Sequence, residues 1–243
     1  MAWNQLHELR HPPHRYQYVD HEVKPSDSKS TLEIETPQGA IGRVIRVNGA
    51  PPSEKQCHRD SAELARLAKS RGRQRSYFKD QRADLGRRET LFELMPKALL
   101  FQFDGVEKDS GWIRLKYRPN PAFSPQQTVG GVLKGLEGTV WVDPKTQRLA
   151  KINGHLIKPV TIGWGILAKL DSGGHFAMDQ SKLPDGNWRV TALDVHMRGS
   201  ILLFKKLNVN MTDTFESFKE VADNLTVEEA VKVLNHVPSC SKR

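Results

Sequence analysis

Short stretches in which apolar and polar residues alternate run through most of this sequence, and they predict β-strands. The first clear example is Arg15–Val23, which is rich in Tyr and Val. Turn sequences separate neighbouring stretches, as at Pro37–Gly39, Pro144–Gln147 and Pro184–Gly186. Because strands joined by tight turns pair in opposite directions, we expect one antiparallel sheet of about ten or eleven strands.

A charged segment, Ser53–Met95, interrupts the strands and predicts a long, partly broken helix that is mostly exposed. Ser53 is a favourable N-cap, and Pro96 is expected to end the helix. Further along the chain, Phe215–His236 predicts one or two short helices, with Thr226 in a helix-start pattern. The predicted fold class is therefore α+β and mainly β.

Large apolar side chains alternate on three of the predicted strands, which places them on one face of each strand. Because a sheet this long must curl or be covered, we predict a strongly curved antiparallel sheet that forms an incomplete barrel. The helix inserted at 53–95 and further helices are expected to cover its concave face. The residues predicted to contact a ligand there are Ile113, Leu115, Tyr117, Leu193, Val195, Met197, Leu207, Val209, Met211 and, between two glycines, Trp164. The alternative for each of them is packing in the core.

The chain has 243 residues and a formal net charge of +9. A basic surface attracts the phosphates of nucleic acids or lipid headgroups, although it also serves solubility alone. The residues predicted to contact an anionic partner form the densest basic run: Arg66, Lys69, Arg71, Arg73, Arg75, Lys79 and Arg82. Only Tyr77 and Phe78 accompany this run as aromatics. That favours a solvated helix face or an anionic membrane contact over a nucleic-acid groove lined by stacking rings.

Two cysteines, Cys57 and Cys240, are present. They make no disulfide framework and fit no zinc-binding spacing, so a single bridge and two ordinary thiols remain open as alternatives.

No apolar run reaches the length of a membrane-spanning helix. The first residues, Met1–Asn4, show no apolar segment of the kind found in a signal peptide.

One short motif, His7-Glu8-Leu9-Arg10-His11, matches the H-E-x-x-H pattern of zinc hydrolases. In such enzymes the two histidines lie one helical turn apart on a rigid helix and a third ligand completes the site. Here Pro12 and Pro13 follow at once. No nucleophile elbow, phosphate loop or dinucleotide fingerprint is found. We therefore predict no catalytic residue, no metal and no cofactor, and the chain is not expected to be an enzyme.

The order of the predicted elements resembles a known family. A tyrosine-rich first strand, Arg15–Tyr18, precedes two strands and the basic helix, and a meander follows that contains Gly138–Asp143, Pro159–Gly165 and Leu202–Lys206. Over roughly Arg15–Phe218 this resembles the uncharacterised bacterial proteins grouped with the LolA/LolB-type outer-membrane lipoprotein-sorting fold. Two features depart from it, because no lipid-attachment cysteine lies near the start and the segment 53–95 is longer and more charged than a lid helix.

The resemblance implies a half-barrel whose concave cavity holds the acyl chains of lipoproteins or other lipids. It further implies a periplasmic location and a role in lipid or lipoprotein transport during outer-membrane biogenesis. The expected organisation is an N-terminal segment at 1–14, the half-barrel at 15–218 and a C-terminal helical tail at 219–243. The alternative function is nucleic-acid binding through the basic helix at 66–82, which predicts binding that weakens steeply with salt.

Overall fold

The computed structural model describes residues 1–124, 128–162, 168–201 and 205–237. Within these ranges the chain forms twelve strands, paired antiparallel, and six helices. The helices are α1 (Ala2–Arg10), α2 (Glu54–Lys69), α3 (Arg71–Tyr77), α4 (Lys79–Ala98), α5 (Thr128–Leu133) and α6 (Val227–Asn235). The strands are β1 (Arg15–Val23), β2 (Ser28–Thr36), β3 (Gly39–Val47), β4 (Leu99–Val106), β5 (Ile113–Pro119), β6 (Leu136–Asp143), β7 (Arg148–Leu156), β8 (Val160–Ile162), β9 (Ala168–Leu170), β10 (His175–Lys182), β11 (Trp188–Ile201) and β12 (Lys205–Val221).

The chain divides into two compact units. The first unit consists of Met1–His11 and Gly86–Met211, and the second consists of Pro12–Leu85 and Thr212–Arg243. Helix α4 and strand β12 each contribute residues to both units.

In the second unit the strands are ordered β3-β2-β1-β12. Ile34 on β2 lies opposite Ile41 on β3, and both are fully buried in a core that includes Phe78 and Leu234. A buried arginine, Arg43, holds the end of α6, because its guanidinium donates to the Leu234 carbonyl at 3.2 Å. The last carbonyls of a helix carry partial negative charge, and this contact satisfies one of them.

In the first unit the strand order is β12-β11-β10-β7-β6-β5-β4, and β9 pairs with both β8 and β11. Its core contains Val140 and Leu149, both fully buried, together with Ala98 from the end of α4. The hairpins predicted at Pro144–Gln147 and Pro184–Gly186 are confirmed, since they join β6 to β7 and β10 to β11.

Two helix starts predicted from the sequence are confirmed. The Ser53 side chain accepts a hydrogen bond from the Gln56 backbone N–H at the start of α2. At the start of α6, Thr226 and Glu229 form a reciprocal capping box. The segment predicted as one broken helix forms α2, α3 and α4. The helix does not end at Pro96, because α4 continues to Ala98. Asn120 stabilises this end, since its side-chain amide donates to the Lys97 carbonyl and its backbone N–H donates to the Ala98 carbonyl.

A second correction concerns Phe215–Val221, which was predicted to be helical and instead continues β12 along β1. Aromatic contacts explain this, because Phe218 lies against Tyr18 with ring centroids 5.4 Å apart and Phe215 lies 6.0 Å from the same ring. Such contacts between neighbouring strands outweigh a weak local helical preference. The short helix α5 was not predicted.

None of the described helices combines the length and the apolar character needed to cross a bilayer. Cys57, buried on α2, is disulfide-bonded. Cys240 lies outside the described residues.

Candidate functional site

Five apolar side chains on β10 and β11 of the first unit share one face and are each only half-buried. The strand register sets them side by side, with Phe176 opposite Val195 and Met178 opposite Leu193. Met197 continues the row on β11, because alternate residues of a strand point to the same side. We call these five residues the half-buried face. Three of the five, Leu193, Val195 and Met197, were predicted from the sequence to contact a ligand.

The floor beside the half-buried face is made by two glycines on adjacent strands. Gly138 on β6 pairs with Gly154 on β7, and the Tyr117 side chain crosses over both. A Cβ at Gly154 would collide with the Tyr117 hydroxyl and with the Phe176 ring. The two glycines therefore leave room for large rings on this side of the sheet.

Tyr117 is a core residue of the first unit. It is buried, and its hydroxyl donates to the Asn153 carbonyl at 2.9 Å. Burial raises the pKa of this phenol above its ordinary value, and the nearby Glu137 raises it further. The hydroxyl thus stays neutral and serves as a structural hydrogen-bond donor.

The other residues predicted to contact a ligand occupy different surroundings. Leu115 and Met197 pack against the core of the first unit while remaining partly exposed. The remaining six described residues are also half-buried: Ile113, Leu193, Val195, Leu207, Val209 and Met211. Trp164 lies outside the described residues. The structure therefore brings Leu193, Val195 and Met197 together with Phe176 and Met178, which the sequence analysis did not select.

All seven residues of the basic run are exposed. Arg66 and Lys69 lie in the last turn of α2, the next three arginines lie on α3, and Lys79 and Arg82 lie on α4. Within the run, Arg82 donates to the Arg75 carbonyl at 2.8 Å. The exposure of all seven side chains fits contact with an anionic surface and fits a solvated helix face equally well.

A small cavity of about 220 Å³ lies in the second unit, between the turn that joins β2 to β3, helix α3 and the start of α6. Its lining includes Arg71, Gln74 and Glu228. Gln74 is buried and donates to the Leu67 carbonyl and to the Glu228 carboxylate. Because its lining is largely polar and it is small, this cavity does not offer the apolar space predicted for an acyl chain.

One face of the second unit gathers carboxylates that the sequence analysis did not single out. Burial raises the pKa of Glu33 to about 8, and the nearby Asp20 raises it further. Burial also raises the pKa of Asp20 to about 6, with Asp213 and Glu22 adding to the shift. Asp20 and Asp213 each keep one buried oxygen without a hydrogen-bond partner among the described residues. The alternation Tyr18, Asp20, Glu22 on β1 was the available signal, since it predicts one shared face.

The H-E-x-x-H motif lies on and just after α1. His7 stacks on Trp3 with ring centroids 5.5 Å apart, and the His11 ring lies 5.1 Å from that of His7. Glu8, which would have to activate water in a zinc hydrolase, instead accepts a hydrogen bond from Arg148 on β7. The carboxylate thus ties α1 to the sheet.

A different set of side chains in the first unit has the composition of a metal site. His175, Asp194 and His196 each offer one ligand atom, and these atoms all lie within 4.8 Å of one another. None of the three was predicted from the sequence to bind a metal.

Comparisons of the chain with protein-family models, with curated proteins and with solved structures found no match. The resemblance to the lipoprotein-sorting fold therefore remains a prediction.

Proposed function

We propose that this chain is a binding protein for a hydrophobic ligand such as an acyl chain, and that the half-buried face on β10 and β11 holds the ligand. One observation carries the proposal: five large apolar side chains on two paired strands are in register and none of them is fully buried. Single exposed apolar residues are normal on a protein surface, but a contiguous group marks an interaction site.

Burial of apolar surface supplies the driving force. A bound chain gains about 0.8 kcal/mol for each CH₂ group that leaves water. Phe176 and the thioether side chains of Met178 and Met197 suit such a ligand, because methionine adapts its shape to irregular apolar surfaces. On β12, the strand that neighbours β11, Leu207 and Val209 are further half-buried apolar residues of the first unit.

The finer form of the proposal follows the family resemblance. The sheet would curve into an incomplete barrel with helices over its concave side, and the protein would carry lipids or lipoprotein acyl chains through the periplasm. The basic run of α2–α4 would then contact anionic lipid headgroups, since its seven cationic side chains are exposed.

The test is displacement of a naphthylamine-type fluorescent probe by a long-chain fatty acid, measured with the full chain. Replacing Val195→Asn and Met197→Gln together should weaken probe binding by at least about tenfold, because two polar groups would enter the apolar contact. The matched control is Val23→Asn in the second unit, where Val23 is 52% exposed. Unchanged binding in the double variant, or equal loss in the control, would refute the proposal.

The alternative is nucleic-acid binding through the same basic run, and the exposure of all seven side chains favours it. Salt separates the two functions. Binding of a single-stranded oligonucleotide should fall steeply between low and moderate salt, because contacts to phosphates release counterions. Fatty-acid binding at the half-buried face should persist at high salt. Lipid extraction of protein purified from its native envelope adds a direct chemical identification.

A further inference from the structure

We propose that His175, Asp194 and His196 form a binding site for a divalent transition-metal ion, with Zn²⁺ as the ion to test. This site lies in the first unit, on the pair of strands that also carries the half-buried face, but it uses the opposite side of those strands.

Strand register creates the site. His175 on β10 lies directly opposite His196 on β11, and their rings stack with centroids 4.6 Å apart. Asp194 precedes His196 by two residues on the same strand, so both side chains point to the same side of the sheet. The His196 Nε2 atom lies 3.0 Å from the Asp194 Oδ1 atom. Three potential ligands from two strands therefore converge on one point.

The donor set matches the preference of zinc. Imidazole nitrogens and carboxylate oxygens bind Zn²⁺ at about 2.0–2.2 Å, so the ligand atoms of a tetrahedral site lie roughly 3.3–3.5 Å apart. In this chain the three ligand atoms are already within 4.8 Å of one another. Side-chain rotation closes the remaining distance, and the backbone pairing can stay as it is. Two imidazoles and one carboxylate leave a fourth position open.

The neighbouring residues favour an ion at this point. Ala177 lies opposite Asp194, and its small side chain leaves space above the sheet. On the next strand, His155 lies opposite His175 and is held by Glu137 at 3.2 Å. His155 thus places a further imidazole on the neighbouring strand, and Glu137 holds its ring in the way that a carboxylate commonly holds a histidine at a metal site.

Access also suits a metal ion. The side chains of His196 and Asp194 are 34% and 35% exposed, so an ion can enter from solvent. Phe176 and Val195 point to the other side, because they alternate with His175 and with Asp194 and His196 along their strands. The ion and a hydrophobic ligand would therefore occupy opposite faces, and neither would displace the other.

Isothermal titration of the metal-free full chain with ZnCl₂ tests the proposal. We expect one Zn²⁺ per chain and a rise in melting temperature with zinc concentration, because an ion that binds only the folded state stabilises it. His196→Ala and His175→Ala should each weaken binding by at least about tenfold. The matched controls are His58→Ala, an exposed histidine on α2, and the double variant His7→Ala/His11→Ala, which removes a neighbouring histidine pair far away in the sequence.

The outcomes are distinct. Absence of stoichiometric binding overturns the proposal, and so does binding that survives His175→Ala but is lost in His7→Ala/His11→Ala. An assay independent of variant folding is the imidazole NMR spectrum of the unmodified chain, in which zinc should shift the His175 and His196 resonances while leaving those of His58 in place. Zinc should leave the affinity for the naphthylamine probe unchanged, so failure of the metal site and failure of the hydrophobic site can be told apart.

Discussion

Ile34 and Ile41 of the second unit are fully buried, whereas Leu193 and Val195 of the first unit stay half-buried. Both pairs lie on antiparallel strands that alternate apolar and polar residues, so the strand pattern alone does not separate them. The difference lies in the helix that packs on the strands. In the second unit α6 packs on β2 and β3, and Leu234 on α6 is itself fully buried.

Helix α6 is suited to this covering role. Its apolar residues Val227, Ala230, Val231 and Leu234 recur at helical spacing and form one stripe. Among the helix contacts in the described part of the first unit, α1 packs on β7 and α5 packs on β8. Alternation therefore predicts which side chains share a face, while a separate amphipathic element decides whether that face becomes core or surface.

Two matched truncations should expose this difference most strongly. Leu234→Ala should lower the free energy of unfolding by about 3 kcal/mol, because it leaves a cavity in a closed core. Leu193→Ala should cost only about 1 kcal/mol, since part of the side chain already faces water. Urea unfolding followed by circular dichroism measures both. Equal losses would mean that the half-buried face is core after all and would remove the main support for ligand binding.

The ion pair between Glu8 and Arg148 gives the next largest effect. Their side chains are 17% and 22% exposed, so Glu8→Gln leaves a partly buried guanidinium without its carboxylate. We expect a loss of about 2 kcal/mol, below the cost for a fully buried pair. Glu93→Gln is the control, because its partner Arg10 is 43% exposed and such pairs contribute little. If Glu8→Gln left stability unchanged, Glu8 would regain its candidacy as a catalytic group in the H-E-x-x-H motif.

Local features of the fold could be predicted from the sequence because their causes are local. The bounds of β1 follow from alternation within the strand, and the caps at Ser53 and Thr226 follow from side chains that satisfy the first backbone N–H groups of a helix. The error at Phe215–Val221 arose because that segment is held as a strand by β1, which lies far away in the sequence.

The candidate sites could be predicted only in part, since they depend on register. A bulge between Asp179 and Gln180 shifts the pairing of β10 with β11 by one residue. Because a one-residue slip sends side chains to the opposite face, the meeting of His175 with His196 depends on that bulge. No sequence pattern marked it. The apolar residues of β11 were identified by alternation, but their half-burial depends on what covers them.

The carboxylates of the second unit make its stability depend on pH. The pKa of Glu33 in the folded chain is raised to about 8 from an ordinary value of 4.5, mainly by burial. Folding therefore favours the protonated form, and this contribution is present below about pH 4.5 and is lost as the pH rises towards 8. Glu33→Gln should flatten this decline, by on the order of 1–2 kcal/mol after allowance for solvent screening of a half-buried group.

Unfolding midpoints measured in urea at pH 5 and pH 8 test this prediction. The decline between the two values should be smaller in Glu33→Gln than in the unmodified chain. Asp20→Asn is the companion variant, because the pKa of Asp20 is raised only to about 6 and its contribution is lost at lower pH. An unchanged decline in both variants would show that this face of the second unit is open to water, like the half-buried face of the first.

The smallest effect concerns the start of the covering helix. Thr226→Ala removes the side chain that accepts from the Glu229 backbone N–H and should cost about 1 kcal/mol. The matched control is Ser53→Ala at the start of α2, which loses one similar cap. Hydrogen exchange can locate the loss, because a weakened cap should speed exchange in α6 and at the core strands β2 and β3 that it covers.

If exchange rose in α6 alone, the core strands would owe their protection to other elements. The contrast between the two apolar faces would then have to rest on α2, which carries Leu64 and Leu67 into the same core.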